Sequence, residues 1–373
     1  MKVFHLTSAH PRDDIRIFAK ECCSLKTAGF DVGLIVADGK GDAILGGIQI
    51  LDVGKSSGRL GRIFSSTRKV FDSALIQNGD IYHIHDPELI PYGLKLKKAG
   101  KVVIFDSHED VPAQILAKPY LNKFVASLIS KLFGIYERSA CKKFDAIIAA
   151  TPFIENKFLK INSVSISVNN YPILSEFPVV ENNISDKDGS RVCYVGGISV
   201  IRGIHEIVDA MQFVKHDVKL LLGGRFSEPD VEIEARNRSG WARVEDLGWL
   251  DRESIARTLS RSSAGLVTLH PVINYLDALP VKMFEYMCAG IPVIASDFPL
   301  WREIIETSDC GICVDPLDPH AIANAIDYIV GNPDMALKMG ANGRAAVLDR
   351  YNWQVEEIKL LKLYSTLRIS LER

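Results

Sequence analysis

The feature that most constrains this chain is an alternation of short apolar runs with amphipathic helical stretches, which occurs in two series. Such alternation is typical of parallel α/β domains, in which helices connect successive strands. The first series predicts strands at Lys2–Leu6, Asp31–Val36, Ile81–His85, Val102–Asp106 and Ala146–Ala149. The second begins at Arg191–Gly196 and continues at Lys219–Leu222, Gly265–Thr268, Pro292–Ala295 and Gly311–Val314.

Between the strands, the spacing of apolar residues predicts helices. They lie at about 15–28, 88–98 and 120–143 in the first series and at about 203–213, 251–261, 281–289, 319–330 and 333–349 in the second. The fold class is therefore α/β, with two doubly wound, Rossmann-like domains at 1–170 and 191–350. A polar stretch, 171–190, is predicted to link them. In open α/β folds ligands bind at the carboxyl ends of the strands, so we expect a cleft there.

The charge of the chain is divided unevenly between these halves. The net charge is −2 over 373 residues. Residues 1–170 have 23 basic and 17 acidic residues, a net +6, and the rest have 21 and 29, a net −8. A near-neutral total argues against a nucleic-acid partner, while the asymmetry indicates that the two domains face different partners.

Glycines follow the first two strands of the second series. Gly196 and Gly197 end the first strand, and Arg202 comes shortly after them. The next strand runs into Gly223, Gly224 and Arg225. Glycine lets a backbone approach a phosphate closely, and arginine binds it bidentately, so this pattern predicts a diphosphate cradle. Taken singly, an arginine after a strand is more often a surface charge.

The stretch from Asp277 to Ile294 is the most informative in the sequence. Pro280 is suited to the first turn of a helix, whose free N–H groups, near Val281 and Lys282, would point at an anion. Glu285 lies farther along that helix, placed to accept hydrogen bonds from a ribose. On composition alone, a short amphipathic helix with a solvated Glu285 explains the same residues.

This stretch resembles the E-x7-E region of the large family-4 retaining glycosyltransferases of GT-B fold, in the variant P-x-K-[LM]-F-E-Y-M. The resemblance implies that Asp277 contacts the hydroxyls of the donor sugar and that Glu285 binds the ribose of the nucleotide. Asp277 stands where the family usually has glutamate. It also implies that the final helix, 351–373, packs back on the N-terminal, acceptor-binding domain.

Residues 194–203 resemble the phosphate-binding stretch G-R-L-x-x-x-K-G of the same family. Gly197 replaces the arginine and Arg202 replaces the lysine. One cation for the diphosphate is therefore missing from its usual place, and we hypothesise that Arg225 or Lys282 supplies it.

In the first half, His108 follows a predicted strand and, with Glu109, resembles the active-site histidine segment of the family. Asp86 follows another strand and is predicted to line the acceptor side. The loop with His10, Arg12 and Arg16 stands where many relatives have two glycines, and its arginines are expected to compensate. A lone histidine more often has a structural role, but a position at a strand end favours function.

The reaction implied by the resemblance is retaining transfer of a sugar from a UDP- or GDP-sugar to a hydroxyl of a glycan acceptor. We predict His108, Asp277 and Arg202 as catalytic residues, with His108 orienting the sugar and the leaving phosphate deprotonating the acceptor. Neither G-x-G-x-x-G nor a P-loop is present, which argues against a dehydrogenase and against an ATPase. Because no isolated D-x-D follows a strand, we expect no metal and no other cofactor. Two alternatives are a GT-B nucleotide-sugar epimerase and a non-catalytic nucleotide-sugar-binding module.

Basic residues are interleaved with apolar ones in two segments, Arg59–Phe71 and Lys118–Lys143. A basic amphipathic helix can lie on an anionic membrane surface, although a solvated face over a packed apolar stripe fits equally. We predict a polyprenyl-diphosphate-linked acceptor in surface polysaccharide biosynthesis. The start of the chain turns polar too early for a signal peptide, and no run is long enough to span a bilayer. The predicted location is the cytoplasm, at the inner face of the membrane.

Overall fold

The computed structural model describes residues 1–116, 121–177 and 190–371. The chain divides into two compact units, Met1–Asn170 with Gln354–Arg373, and Tyr171–Trp353. Most of the predicted linker, residues 178–189, lies outside the described residues, and so do residues 118–120 of the second basic segment. Within the described residues, no helix combines the length and apolar character needed to cross a membrane.

The first unit is built on an eight-stranded sheet of order β3-β4-β2-β1-β5-β6-β7-β8. Every neighbouring pair is parallel except β3 with β4, which is antiparallel. Its strands are β1 Lys2–Leu6, β2 Asp31–Val36, β3 Ala43–Leu45, β4 Ile48–Asp52, β5 Ile81–Ile84, β6 Val102–Ser107, β7 Ala146–Ala149 and β8 Ser165–Ser167.

Helices connect these strands and cover the sheet. The helical segments of the first unit are Ile15–Cys22 (with π-type hydrogen bonding), Cys23–Thr27, Gly58–Gly61, Arg62–Ser66 (also π-type), Thr67–Gln77, Pro87–Leu89, Ile90–Lys98, Val111–Leu116, Lys123–Cys141, Pro152–Leu159 and Trp353–Leu371. The inner strands are buried on both sides, which is why they read as continuous apolar runs in the sequence.

The second unit has a six-stranded, wholly parallel sheet of order β11-β10-β9-β12-β13-β14. Its strands are β9 Ser190–Val195, β10 Val218–Gly223, β11 Val244–Gly248, β12 Ala264–Val267, β13 Val293–Ser296 and β14 Gly311–Val314. Its helical segments are Leu174–Glu176, Val200–Arg202, Ile204–Phe213, Pro229–Arg236, Ser239–Arg243, Arg252–Ser260, Ile273–Leu276, Val281–Ala289, Pro299–Ser308, Pro319–Gly331 and Pro333–Asp349.

The ten predicted strands are all present, with ends that shift by no more than one or two residues. The sequence reading missed four strands: β3, β4, β8 and β11. They lie toward the outer edges of the two sheets, and all four carry exposed or half-buried residues. Their apolar runs are therefore short or interrupted, and the pattern that identified the inner strands is missing.

Candidate functional site

The glycines after β9 and β10 bring two backbone segments into direct contact. Gly196 has a backbone φ of +120°, which residues with a side chain rarely adopt. Its N–H donates to the carbonyl of Gly223 at 2.9 Å. A Cβ atom on Gly224 would overlap the carbonyl oxygen of Gly196. Glycine is therefore required at this edge for the close packing of the two loops themselves.

Arg202 fills the space beside Gly197. Its Nη1 donates to the Gly197 carbonyl at 3.1 Å, and the hydroxyl of Tyr194 donates to the same oxygen at 2.7 Å. A Cβ atom on Gly197 would overlap Nη1 of Arg202. The two departures from the family pattern are thus linked, because a side chain at 197 would displace the arginine at 202.

Lys282 lies beside Gly196, with its Nζ 3.3 Å from the position that a Cβ atom there would take. Its Nζ is buried, sits 3.5 Å from the centre of the Tyr194 ring, and makes no hydrogen bond within the described part of the chain. Burial, and then the nearby charge of Arg202, hold the pKa of Lys282 well below its usual value. Arg225, the other proposed cation, is exposed, and its guanidinium lies 5.4 Å from the centre of the Trp249 ring.

Glu285 is held by a residue that the sequence reading did not single out. Arg252 donates from Nη1 to Oε1 of the buried Glu285 at 2.7 Å and from Nη2 to Oε2 of Glu176 at 2.5 Å. The helix with Glu285 begins at Val281, so Pro280 precedes the first turn and does not lie inside it. Asp277 is half-buried and ends the preceding short helix.

In the first unit, His108 belongs to a chain of polar side chains at the ends of β5 and β6. Its Nε2 lies 3.0 Å from Oδ2 of Asp106 and 3.3 Å from Nδ1 of His85. Asp106 is fully buried; although burial opposes it, the charges of Arg16 and His108 keep the pKa of Asp106 well below its usual value. His108 itself is partly exposed, so it can reach a ligand.

Asp86 shapes the loop that follows β1. Its buried carboxylate accepts hydrogen bonds from the hydroxyl of Thr7 at 3.0 Å and from the backbone N–H groups of Ser8 at 2.5 Å and Ala9 at 3.2 Å. Nε2 of His10 lies 3.5 Å from the other oxygen. Asp86 is therefore a support for the loop, and His10 is the member of this pair with the larger exposed surface.

The arginines expected to compensate for missing glycines are both engaged by carboxylates. Arg12 donates to both oxygens of Asp38 at 2.8 and 2.7 Å, and Arg16 donates to both oxygens of Asp106 at 2.8 Å. Neither guanidinium is thus placed to receive a phosphate. Glu109 is exposed and accepts from the amide of Gln114.

Comparisons with known proteins agree with this architecture. Residues 179–346 match the family model of the glycosyl transferases group 1. The phosphatidyl-myo-inositol mannosyltransferase of Mycobacterium leprae is 27% identical over 305 residues, which cover 78% of this chain and 74% of that protein.

Two solved structures match nearly the whole chain. The sucrose-phosphate synthase of Thermosynechococcus elongatus has a TM-score of 0.78 at 20% identity, with 99% of each chain covered. Anabaena HepE in complex with UDP and glucose has a TM-score of 0.75 at 15% identity, covering 98% of this chain and 100% of that one. Both show the fold, which is that of the GT-B glycosyltransferases. Together with the family match and the mannosyltransferase relative, they support an enzyme of a GT-B glycosyltransferase family.

Proposed function

We propose that the protein is a retaining glycosyltransferase that moves a sugar from a UDP- or GDP-sugar to a hydroxyl of a lipid-linked glycan acceptor in surface polysaccharide biosynthesis. The observation that carries this proposal is the edge formed by Gly196, Gly197, Arg202, Lys282 and Glu285. It combines the buried amino group of Lys282, which has no hydrogen-bond partner among the described residues, with the buried carboxylate of Glu285 on the same helix.

These groups suit the two ends of a nucleotide diphosphate. Lys282 and Arg202 would hold the leaving diphosphate as its charge develops, together with N–H groups in the first turn of the helix that starts at Val281. Glu285 would accept hydrogen bonds from the ribose. The carboxylate of Asp277 would contact the sugar, and His108 would orient it. The leaving phosphate would take the proton of the acceptor hydroxyl, so transfer should proceed without added divalent metal.

Thermal-shift screening of nucleotide sugars, followed by turnover assays, tests this proposal. A donor that binds only the folded state raises its apparent stability. We expect one UDP- or GDP-sugar to raise the melting temperature and to be consumed only with an acceptor, giving a product of retained anomeric configuration. Consumption without acceptor would favour an epimerase, and binding without any turnover would favour a binding module. No stabilisation by any nucleotide sugar would contradict all three.

The exposed surface of the helix Lys123–Cys141 suits binding to an anionic membrane. Its apolar side chains face outward: Phe124 is 78% exposed, and Leu128, Leu132 and Ile135 are 50 to 61% exposed. Lys131 and other exposed cations lie on the same helix. The relative from Mycobacterium leprae is named for a lipid acceptor, which also supports a lipid-linked substrate.

Flotation with vesicles tests this surface. We expect the protein to float with anionic vesicles and to remain behind with neutral ones. Replacing Leu128 and Leu132 together by glutamine should abolish flotation, whereas Ile76→Gln, at a site that is 80% exposed on another helix of the same unit, should leave it unchanged. Failure of the protein to float with either vesicle type would contradict membrane binding.

A further inference from the structure

A fully buried cluster of three histidines and one glutamate lies behind the strand-end edge of the first unit. His5 on β1 is paired in register with His83 on β5, and His85 follows two residues later. Side chains two apart on a strand project to the same face, so the three imidazoles share one side of the sheet. Glu21, on the helical segment Ile15–Cys22, meets them there, and all four side chains are inaccessible to solvent.

The donor atoms of this cluster converge on one point. Oε2 of Glu21 lies 3.8 Å from Nδ1 of His5, 3.7 Å from Nδ1 of His83 and 3.9 Å from Nε2 of His85. Nδ1 of His5 and Nε2 of His85 are 2.9 Å apart. Ligands bound to tetrahedral zinc at about 2.0–2.2 Å are about 3.3–3.5 Å from one another. All four ligand atoms lie within 4.8 Å of one another, so a central ion requires the more distant pairs to close by no more than about 1.5 Å.

The charges around the cluster leave one carboxylate only partly compensated. Neither oxygen of Glu21 has a hydrogen-bond partner among the described residues. Arg16 approaches Oε1 of Glu21 at 3.2 Å, but it already donates to both oxygens of Asp106. Two buried carboxylates thus share a single guanidinium. A buried charge without full compensation is costly, and a bound cation removes that cost.

Asp106 lies next to the proposed ligand His85, on the side of the ring nitrogen that faces away from Glu21. Nδ1 of His85 lies 3.3 Å from Oδ2 of Asp106, and Asp106 is fixed by Arg16. Histidines that bind a metal commonly donate their other ring N–H to such a carboxylate, which sets the tautomer of the ring. Binding at Nδ1 of His83 would replace its 2.9 Å hydrogen bond with the hydroxyl of Tyr364.

We propose that His5, Glu21, His83 and His85 form a closed structural site for a divalent transition metal ion of the zinc type. Three imidazoles with one carboxylate suit zinc, and four protein ligands leave no open position for catalysis. The ion would join β1, β5 and the helical segment Ile15–Cys22 within the first unit. His85 lies 3.3 Å from His108, which the proposed function uses, but metal content is measured without donor or acceptor, so failure of this proposal is distinguishable from failure of the proposed function.

The test is metal analysis of the full-length protein. Because the site is buried, the protein is unfolded with a chelator and refolded with no metal, with Zn²⁺ or with Co²⁺. We expect one ion per chain after refolding with Zn²⁺, a higher melting temperature than without metal, and the visible absorption of four-coordinate Co²⁺. No retained ion, with equal melting temperatures and no Co²⁺ spectrum, would overturn the proposal in favour of a metal-free network in which burial raises the pKa of Glu21 and leaves it protonated.

Variants assign the ligands. Glu21→Gln and His83→Gln should lose the bound ion, while His216→Gln, at an exposed histidine of the second unit, should keep it. His108→Gln should also keep it, because His108 belongs to the neighbouring group with His85 and Asp106. Loss of the ion in His108→Gln with retention in Glu21→Gln would place the metal in that group and overturn this assignment. If the buried variants fail to fold, the wild-type comparison still decides.

Discussion

The two units present chemically opposite edges at the ends of their parallel strands. In the first unit, Arg12 and Arg16 are each locked onto a carboxylate, and the loop after β1 is held by Asp86. In the second unit, glycines replace the polar loop, and Lys282 has no hydrogen-bonded partner among the described residues. The arginines of the first edge are thus paired with carboxylates, whereas the buried amino group of Lys282 at the second edge is not hydrogen-bonded to any described residue. If the proposed function holds, similar sheets carry a positioning site in one unit and an anion site in the other.

The largest expected effect comes from removing the side chain of Lys282, whose Nζ has no hydrogen-bond partner among the described residues. We expect Lys282→Ala to lower kcat/KM for the donor about 100-fold, since groups that stabilise developing charge have effects of this order. The control is Lys338→Ala, which removes an exposed lysine of the same unit that is 3.5 Å from Asp309. Steady-state kinetics of both variants measure this. A kcat/KM for Lys282→Ala within about twofold of wild type would show that Lys282 does not distinguish the second edge from the first.

A smaller effect is expected from restoring the arginine of the family at position 197. Gly197→Arg should reduce donor affinity about tenfold, because the new side chain displaces Arg202. Adding Arg202→Lys, which recreates the family arrangement, should recover most of it. Titration of donor binding for the single and double variants measures this. A single variant that binds as wild type would show that the space beside Gly197 is not limiting.

We expect Arg12→Ala, in the first unit, to leave donor binding unchanged, which is the smallest of the expected effects. Arg12→Ala should instead lower the free energy of unfolding by about 1–2 kcal/mol, since it removes the hydrogen bonds of the guanidinium to Asp38, which help to lower the pKa of that carboxyl to about 2. The exposed neighbour Asp13 supplies the control Asp13→Asn.

The sign of the pH dependence follows from this lowered pKa. The pKa of Asp38 is lower in the folded protein, so its stabilisation is complete above the unfolded pKa of about 3.8 and is lost as the pH falls towards 2. Denaturant unfolding of wild type and Arg12→Ala should therefore differ at pH 7 and converge in acid. A gap that is independent of pH would show that the ion pair contributes nothing.

The candidate residues of the second edge are easier to find in the sequence than the contacts of the first edge, for a physical reason. Short local motifs contain Gly196, Arg202 and Glu285, and the residue types in each motif indicate its chemistry without knowledge of the fold. Arg252, which holds Glu285, comes from another helix, and no local pattern marks it. The roles of Arg12 and Arg16 depend on carboxylates that lie far away in sequence, Asp38 and Asp106. His83 and His85 are two residues apart, a spacing that places both on one face, but the sequence analysis did not single them out, and their convergence with Glu21 depends on where the helix lies.

The peptide unit between Gly197 and Ile198 is fixed on both of its sides. Its carbonyl accepts from Tyr194 and Arg202, and its N–H donates to the carbonyl of Arg225 at 2.9 Å. A loop held in this way has little backbone freedom left to lose. A ligand that docks against it meets a preorganised surface, so the entropic penalty of binding falls on the ligand and on long side chains such as Lys282.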